Sequence, residues 1–181
     1  MNARVVGAGL LAGVAAFAWG SLSHMVLGLG EAGVSALPNQ PAVLDTLARN
    51  VSERGLYIFP YEADPARWEE SFRSHPHGIL ALSPAGEELA FPRRLAIELA
   101  TSLAGGLLAA MLFAAAPMAF GTWKAGAMAG AALGLFGSIA IDASYWNWYG
   151  FPTLYLAAQM ADQILAWAIA GALLGWRLGK S

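Results

Sequence analysis

Four stretches of apolar residues divide the chain, and most of its charged residues lie between the first stretch and the second. Each stretch can cross a hydrocarbon core of about 30 Å, which takes roughly 20 residues in a helix. Because lipid offers no hydrogen-bond partner to backbone groups, each is predicted to be helical. The predicted spans are residues 5–30, 95–120, 123–141 and 154–176.

The connections between the later spans are short. Only Gly121 and Thr122 separate the second span from the third, which predicts a tight helical hairpin. Pro117 near the end of the second span is either tolerated there or bends the helix. The aromatic run from Tyr145 to Phe151 joins the third span to the fourth. It is typical of a membrane–water interface, and the alternative is an aromatic ligand cage.

The first span has two interpretations. Arg4 and the run Ala16-Phe17-Ala18 resemble the start and the cleavage site of a signal peptide. Apolar residues nevertheless continue as far as Leu29, and this length favours an uncleaved membrane anchor.

Lysine and arginine near span ends indicate the orientation, because they concentrate on the cytoplasmic side. The pair Arg93 and Arg94 argues against an N-terminus inside the cell, whereas the remaining span-end cations favour it. We therefore expect a bacterial inner-membrane protein with both termini inside and residues 31–92 outside. The cations placed inside are Arg4, Lys124, Arg177 and Lys180.

Residues 31–92 form a water-facing segment with nine acidic residues and four arginines. Short apolar runs ended by prolines predict two strands, at residues 56–59 and 79–82. Two short helices are predicted at residues 42–50 and 65–72, because Asn39 and Asp64 precede prolines at their starts. The segment is therefore predicted to be a small folded lobe with a thin core.

Composition supports a membrane protein. Of the 181 residues, 57% are hydrophobic and 12% are charged, whereas soluble domains carry about 25% charged residues. The net charge of -2 predicts no nucleic-acid partner. The predicted fold class is a membrane all-α protein. It is a four-transmembrane-helix bundle with a small mixed α/β extramembrane lobe between helices 1 and 2.

Small residues recur every four positions in the third span, so that they lie along one helix face. They are Gly126, Gly130, Gly134 and Ser138, and Asp142 continues the series. Such a face lets two helix backbones approach closely. It predicts either tight packing within one chain or a contact with another subunit, and both alternatives stay open at this point.

Three polar residues interrupt the fourth span. Asp162 lies close to its middle, with Gln159 and Gln163 beside it. An ionised aspartate there costs about 2.5–3.5 kcal/mol on insertion scales and marks a candidate functional site. The structural alternative is an interhelical hydrogen bond, worth about 0.6 kcal/mol on average.

His24 lies near the outer end of the first predicted span and is a second candidate. If the first and fourth helices are neighbours, His24 can hydrogen-bond to Asp162 and pass protons, because imidazole titrates near neutral pH. Asp142 is expected at a shallower level. Glu98 lies four residues after Arg94, a spacing that predicts a local ion pair.

His75 and His77 flank a proline in the lobe and are candidate zinc or copper ligands, with a surface turn as the simpler interpretation. Calorimetry with zinc and copper would test for binding. No third ligand has a fixed position, and no cofactor is otherwise predicted.

No catalytic motif was found, including the nucleotide-binding, serine-hydrolase and zinc-protease patterns. The favoured interpretation is a non-enzymatic accessory subunit that packs against partner helices or against copies of itself. The mass of the intact complex in mild detergent would test it. The alternative is a small proton- or cation-linked transporter or channel that uses Asp162 and His24.

Overall fold

The computed structural model describes residues 2–179. Lys180, one of the cations that indicated the orientation, lies outside this range. The chain forms two compact units. The first, here called the helical unit, contains the described residues of 1–34, 90–147 and 151–181. The second, here called the lobe, contains residues 35–89 and 148–150.

Four long helices form the helical unit, and each is long and apolar enough to cross a membrane. They are α1 (Ala3–Met25), α4 (Phe91–Ala115), α6 (Trp123–Ala140) together with the helix α7 (Asp142–Tyr149) that continues it, and α8 (Thr153–Leu178). The short helix α5 (Pro117–Phe120) precedes α6. The prediction of a mostly helical chain with four such helices is confirmed.

Two predicted spans end too late. The helix α1 stops at Met25 because Gly28 takes a left-handed conformation (φ 70°) and starts a 3₁₀ turn at Leu29–Glu31. The helix α4 starts four residues earlier than predicted and stops at Ala115. It stops there because a proline disfavours helical geometry in the residue before it, and Pro117 then begins α5.

The aromatic run after α6 is helical rather than a linker. Helix α7 contains Tyr145, Trp146 and Trp148, and it ends before Gly150, which is left-handed (φ 70°). Pro152 then precedes the first turn of α8. A left-handed glycine stops a helix at little conformational cost, and this sets the boundary.

Helix α1 packs between α4 and α8, and α8 packs between α1 and α6. Helices α4 and α6 are not among the closely packed pairs of the described residues, so the predicted hairpin was wrong. Glycines explain the tightest contacts. A Cβ at Gly126 would overlap the carbonyl oxygen of Gly171, and a Cβ at Gly13 would lie 2.6 Å from Cα of Leu103.

The lobe contains α2 (Gln40–Asn50), β1 (Gly55–Phe59), α3 (Pro65–Ser74) and β2 (Gly78–Leu82). The two strands pair antiparallel, with Tyr57 opposite Leu80. The side chain of Asp64 caps α3 by accepting a hydrogen bond from the backbone of Ala66, as its position before Pro65 predicts. None of residues 35–89 is fully buried, which agrees with the expected thin core.

Candidate functional site

The helical unit contains a cavity of about 510 Å³, which α1, α4 and α8 line. Helices α1 and α4 lie backbone to backbone at Gly9 and Gly13, and the cavity lies beyond this contact, beside residues 16–25 of α1. Each of the three helices contributes polar side chains. These are Ser21, His24, Glu98, Thr101, Ser102, Gln159, Asp162 and Gln163.

Asp162 is the buried charged residue of the cavity, with 3% of its surface exposed. The indole Nε1 of Trp19 donates a hydrogen bond of 2.7 Å to its Oδ1. Because an indole N–H can only donate, Oδ1 acts as the acceptor. Among the described contacts Oδ1 is the bonded oxygen, and Oδ2 is therefore the oxygen that can receive a ligand.

The antiparallel register of α1 and α8 brings Trp19 to Asp162. At the other end of the pair, the guanidinium of Arg4 donates two hydrogen bonds, of 3.0 and 2.6 Å, to the carbonyl of Arg177. Fifteen residues separate the two partners along each helix, so one register satisfies both contacts. The sequence contained no signal that this pair of helices was adjacent.

His24 lines the same cavity but does not bond to Asp162. Its Nδ1 lies 3.0 Å from the hydroxyl of Ser23 and 3.0 Å from the carbonyl of Gly20. Since α1 ends at Met25, His24 lies in its last turn, farther from Asp162 along the axis than predicted. Gly30 packs directly on the imidazole, where a side chain would overlap the ring.

Glu98 is a cavity residue that the sequence analysis assigned to another role. The four ion pairs among residues 2–179 do not include Glu98 with Arg94, so the predicted local pair does not form. The contacts of Gly9 with Leu107 and of Gly13 with Leu103 define an antiparallel register. Continued along α4, this register places Glu98 one residue from the level of Trp19.

The spacing of the polar residues along α4 could have revealed the face of this helix that lines the cavity. Glu98, Thr101 and Ser102 lie three and four residues apart, which places them on one side of a helix. All three line the cavity.

One wall of the cavity depends on Trp167. Its Nε1 donates a hydrogen bond of 3.2 Å to Oε1 of Gln163. Its ring packs on Gly105 of α4, where a Cβ would lie 2.7 Å from the Cη2 atom. Gln159 lines the cavity one turn before Gln163. The structure therefore brings together four of the predicted residues, namely His24, Gln159, Asp162 and Gln163.

The helical unit is closely packed between the cavity and the end that holds Arg4 and Arg177. Ala12, Ala110, Ala170 and Leu174 are fully buried there and form part of the hydrophobic core. Ala166 lies at the boundary, because it lines the cavity and is itself buried. The cavity is thus closed toward this end of the unit.

Asp142 and the small-residue face of α6 lie elsewhere. The hydroxyl of Ser138 donates a hydrogen bond of 2.7 Å to Oδ2 of Asp142, and neither residue lines the cavity. Gly126, Gly130 and Gly134 are buried against α8 of the same chain. This face is therefore occupied within the chain.

The two lobe histidines have separate contacts. The ring of His77 stacks on Phe72 with 3.8 Å between centroids. Nδ1 of His75 lies 3.1 Å from the carbonyl of Ser71 and 3.0 Å from the hydroxyl of Ser74. Within residues 2–179 no group of three or more histidine, cysteine, aspartate or glutamate side chains is placed to hold a metal ion.

Comparisons of the chain with protein-family models, curated proteins and solved structures found no match. Functional inference therefore rests on the chemistry of the cavity. That chemistry is acidic, because Asp162 and Glu98 line the cavity, whereas no lysine or arginine of the described chain does so. His24 adds an imidazole at the side away from the termini.

Proposed function

We propose that this chain is an integral membrane protein with four membrane-spanning helices. The length and apolar composition of α1, α4, α6–α7 and α8 support this proposal. Large apolar side chains on these helices are exposed, among them Val14, Leu108, Leu112, Ile139 and Ile169. Lipid tails would cover such a surface, whereas water rarely borders one this extensive.

We further propose that both termini face the cytoplasm of a bacterial cell, with residues 31–92 outside. The contact between Arg4 and Arg177 supports a shared side for the two ends. Lys124 lies in the first turn of α6. The start of α6 is next to Gly175, near the C-terminal end of α8. These cations agree with the excess of positive charge on cytoplasmic loops.

We infer that the cavity binds a proton or a small cation and that the protein transports it. The observation that carries this inference is Asp162, which is 3% exposed near the middle of α8 and yet lines the cavity. A carboxyl group at this depth is a functional candidate by default, because its insertion into lipid is unfavourable. A bound cation or proton would compensate for its charge.

The closed end of the cavity favours a carrier over an open pore. Among the described residues, the buried apolar Ala12, Ala170 and Leu174 lie between Asp162 and the end that holds Arg4 and Arg177. A cation would therefore enter from the side of His24 and leave only after the helices shift. Such alternating access is common among small transporters.

An accessory subunit was the favoured prediction from sequence, and it now has less support. That prediction rested on the many small residues, the short chain and the absence of a catalytic motif, and it used the small-residue face of α6 as the contact surface, which α8 of the same chain occupies. A partner protein or a homo-oligomer would need to use another surface, and each stays a prediction.

Flux through liposomes tests the transport proposal. Purified protein would be reconstituted in vesicles that contain a pH-sensitive or a potassium-sensitive dye, and the matching proton or potassium gradient would be imposed. We expect Asp162→Asn to slow the flux by about tenfold or more, as expected when a contact to a charged group, worth about 1.5–3 kcal/mol, is lost. Asparagine keeps an oxygen for the indole of Trp19, so the fold should persist.

Asp142→Asn is the matched control, because it makes the same chemical change in the helical unit outside the cavity. We expect its flux to equal that of the wild type. The transport proposal fails if wild-type vesicles show no flux above empty vesicles, or if Asp162→Asn and Asp142→Asn behave alike.

A further inference from the structure

The size of the cavity indicates the size of its ligand. Its volume of about 510 Å³ falls within the range of about 300–1,000 Å³ that is usual for small-molecule sites. A single water occupies about 30 Å³ of liquid. The cavity is therefore large enough for an organic molecule, and a lone inorganic ion would leave most of it unfilled.

The lining combines acidic groups with apolar and aromatic surface. Asp162 and Glu98 supply the negative charge, whereas Phe17, Phe91 and Trp167 supply aromatic rings. Carboxylates attract cations by their charge, and aromatic faces attract them through the ring quadrupole. This combination suits a molecule with one cationic head and an apolar body.

We propose that the ligand of the cavity is an organic ammonium ion, with Asp162 as its principal counter-ion and Glu98 as a second one. This proposal rests on the proposed function and specifies its substrate class. The head group would lie near Oδ2 of Asp162, because Oδ1 is bonded to Trp19. The apolar body would extend toward Phe91, on the side of His24.

Binding to the 181-residue chain tests the proposal, with two probes of matched shape. Benzyltrimethylammonium carries the charge, and neopentylbenzene replaces its nitrogen with carbon and is neutral. Calorimetry in detergent micelles would be corrected with micelles that contain no protein. We expect the cation to bind to the wild type and the neutral isostere to bind at least about tenfold more weakly, since only the charged contact differs.

Two variants assign the binding to the cavity. We expect Asp162→Asn to weaken benzyltrimethylammonium binding by about tenfold or more, and Glu98→Gln to weaken it by a smaller factor. Glu98 has no side-chain partner among the described contacts, so its replacement tests the site even if the Asp162 variant is unstable. Asp142→Asn should bind as the wild type does.

The outcomes separate this proposal from the transport proposal. Equal binding of the two probes, or full binding by both cavity variants, overturns the assignment of an ammonium ligand. Proton or potassium flux that depends on Asp162, without binding of benzyltrimethylammonium, also overturns it and leaves the transport proposal intact. Binding that depends on Asp162, without flux of protons, potassium or benzyltrimethylammonium, upholds the ligand class and contradicts transport.

Discussion

At the scale of single residues, Trp19 fixes the position of the buried carboxyl group. Its indole donates to Oδ1 of Asp162 at 2.7 Å from a different helix. The bond therefore holds one oxygen and restricts the rotation of the carboxyl group. A ligand that binds to the other oxygen would meet a preorganised acceptor, which reduces the entropy lost on binding.

Removal of this donor should weaken the helical unit. We expect Trp19→Phe to lower the free energy of unfolding by about 1–3 kcal/mol, because it leaves a buried carboxyl oxygen without its hydrogen-bond donor. Titration with a denaturing detergent, followed by circular dichroism, would measure the change. Trp148→Phe is the control, since that side chain is 76% exposed. Equal effects of the two variants would contradict this role of Trp19.

Asp162 could be predicted as a site residue because a carboxyl group is rare within an apolar stretch. Gln159 and Gln163 were predicted for the same reason. The sequence did not single out Trp19 as a site residue, because an indole is compatible with many membrane environments. Glu98 was predicted to form an ion pair with Arg94, because a spacing of four residues allows a local pair on any helix. Only the neighbouring helices decide between such alternatives, and sequence periodicity does not specify neighbours.

At the scale of elements, glycines determine which helices approach closely. A Cβ at Gly130 of α6 would overlap the carbonyl oxygen of Trp167 on α8. The two backbones therefore lie closer than any larger residue permits. Close approach of this kind gains dispersion energy, which is the main attraction between helices in lipid.

Gly130→Ala should destabilise the pair of helices. We expect a loss of about 1–3 kcal/mol, because an added methyl group in a packed interface forces the backbones apart. Gly137 on the same helix is the matched control, since a Cβ there meets nothing within 4 Å. Gly137→Ala should leave stability unchanged or raise it, because alanine favours helix. The same detergent titration would show whether the two variants differ.

The helices themselves were predictable, whereas their pairing was not. An apolar run of about 20 residues has few alternatives to a helix in lipid. The hairpin of α4 with α6 was inferred from a two-residue gap. Pro117 ends α4 early, α5 separates the two helices, and the glycines of α6 match those of α8 instead.

At the scale of the whole molecule, the proposed topology can be tested by chemical labelling. The chain contains no cysteine, so single cysteines can be introduced without background. We expect a membrane-impermeant maleimide to label Ser52→Cys in intact spheroplasts and to label Lys124→Cys only after lysis. Both positions are exposed to solvent or lipid in the structure.

The labelling outcomes distinguish the alternatives. Reversed labelling of the two cysteines would invert the orientation and keep the membrane assignment. Labelling of both positions before lysis would contradict a membrane span at α4, provided that a cytoplasmic control protein stays unlabelled.

The central position of α1 and α8 has a consequence for synthesis on the ribosome. Helix α1 is made first and α8 last, yet they pack side by side and jointly line the cavity. Until α8 emerges, α1 lacks one of its two neighbours and the glycine face of α6 is uncovered. These surfaces of the nascent chain therefore stay uncovered during most of its elongation. The acidic cavity becomes complete only when the final helix packs against α1, because Asp162 lies on that helix.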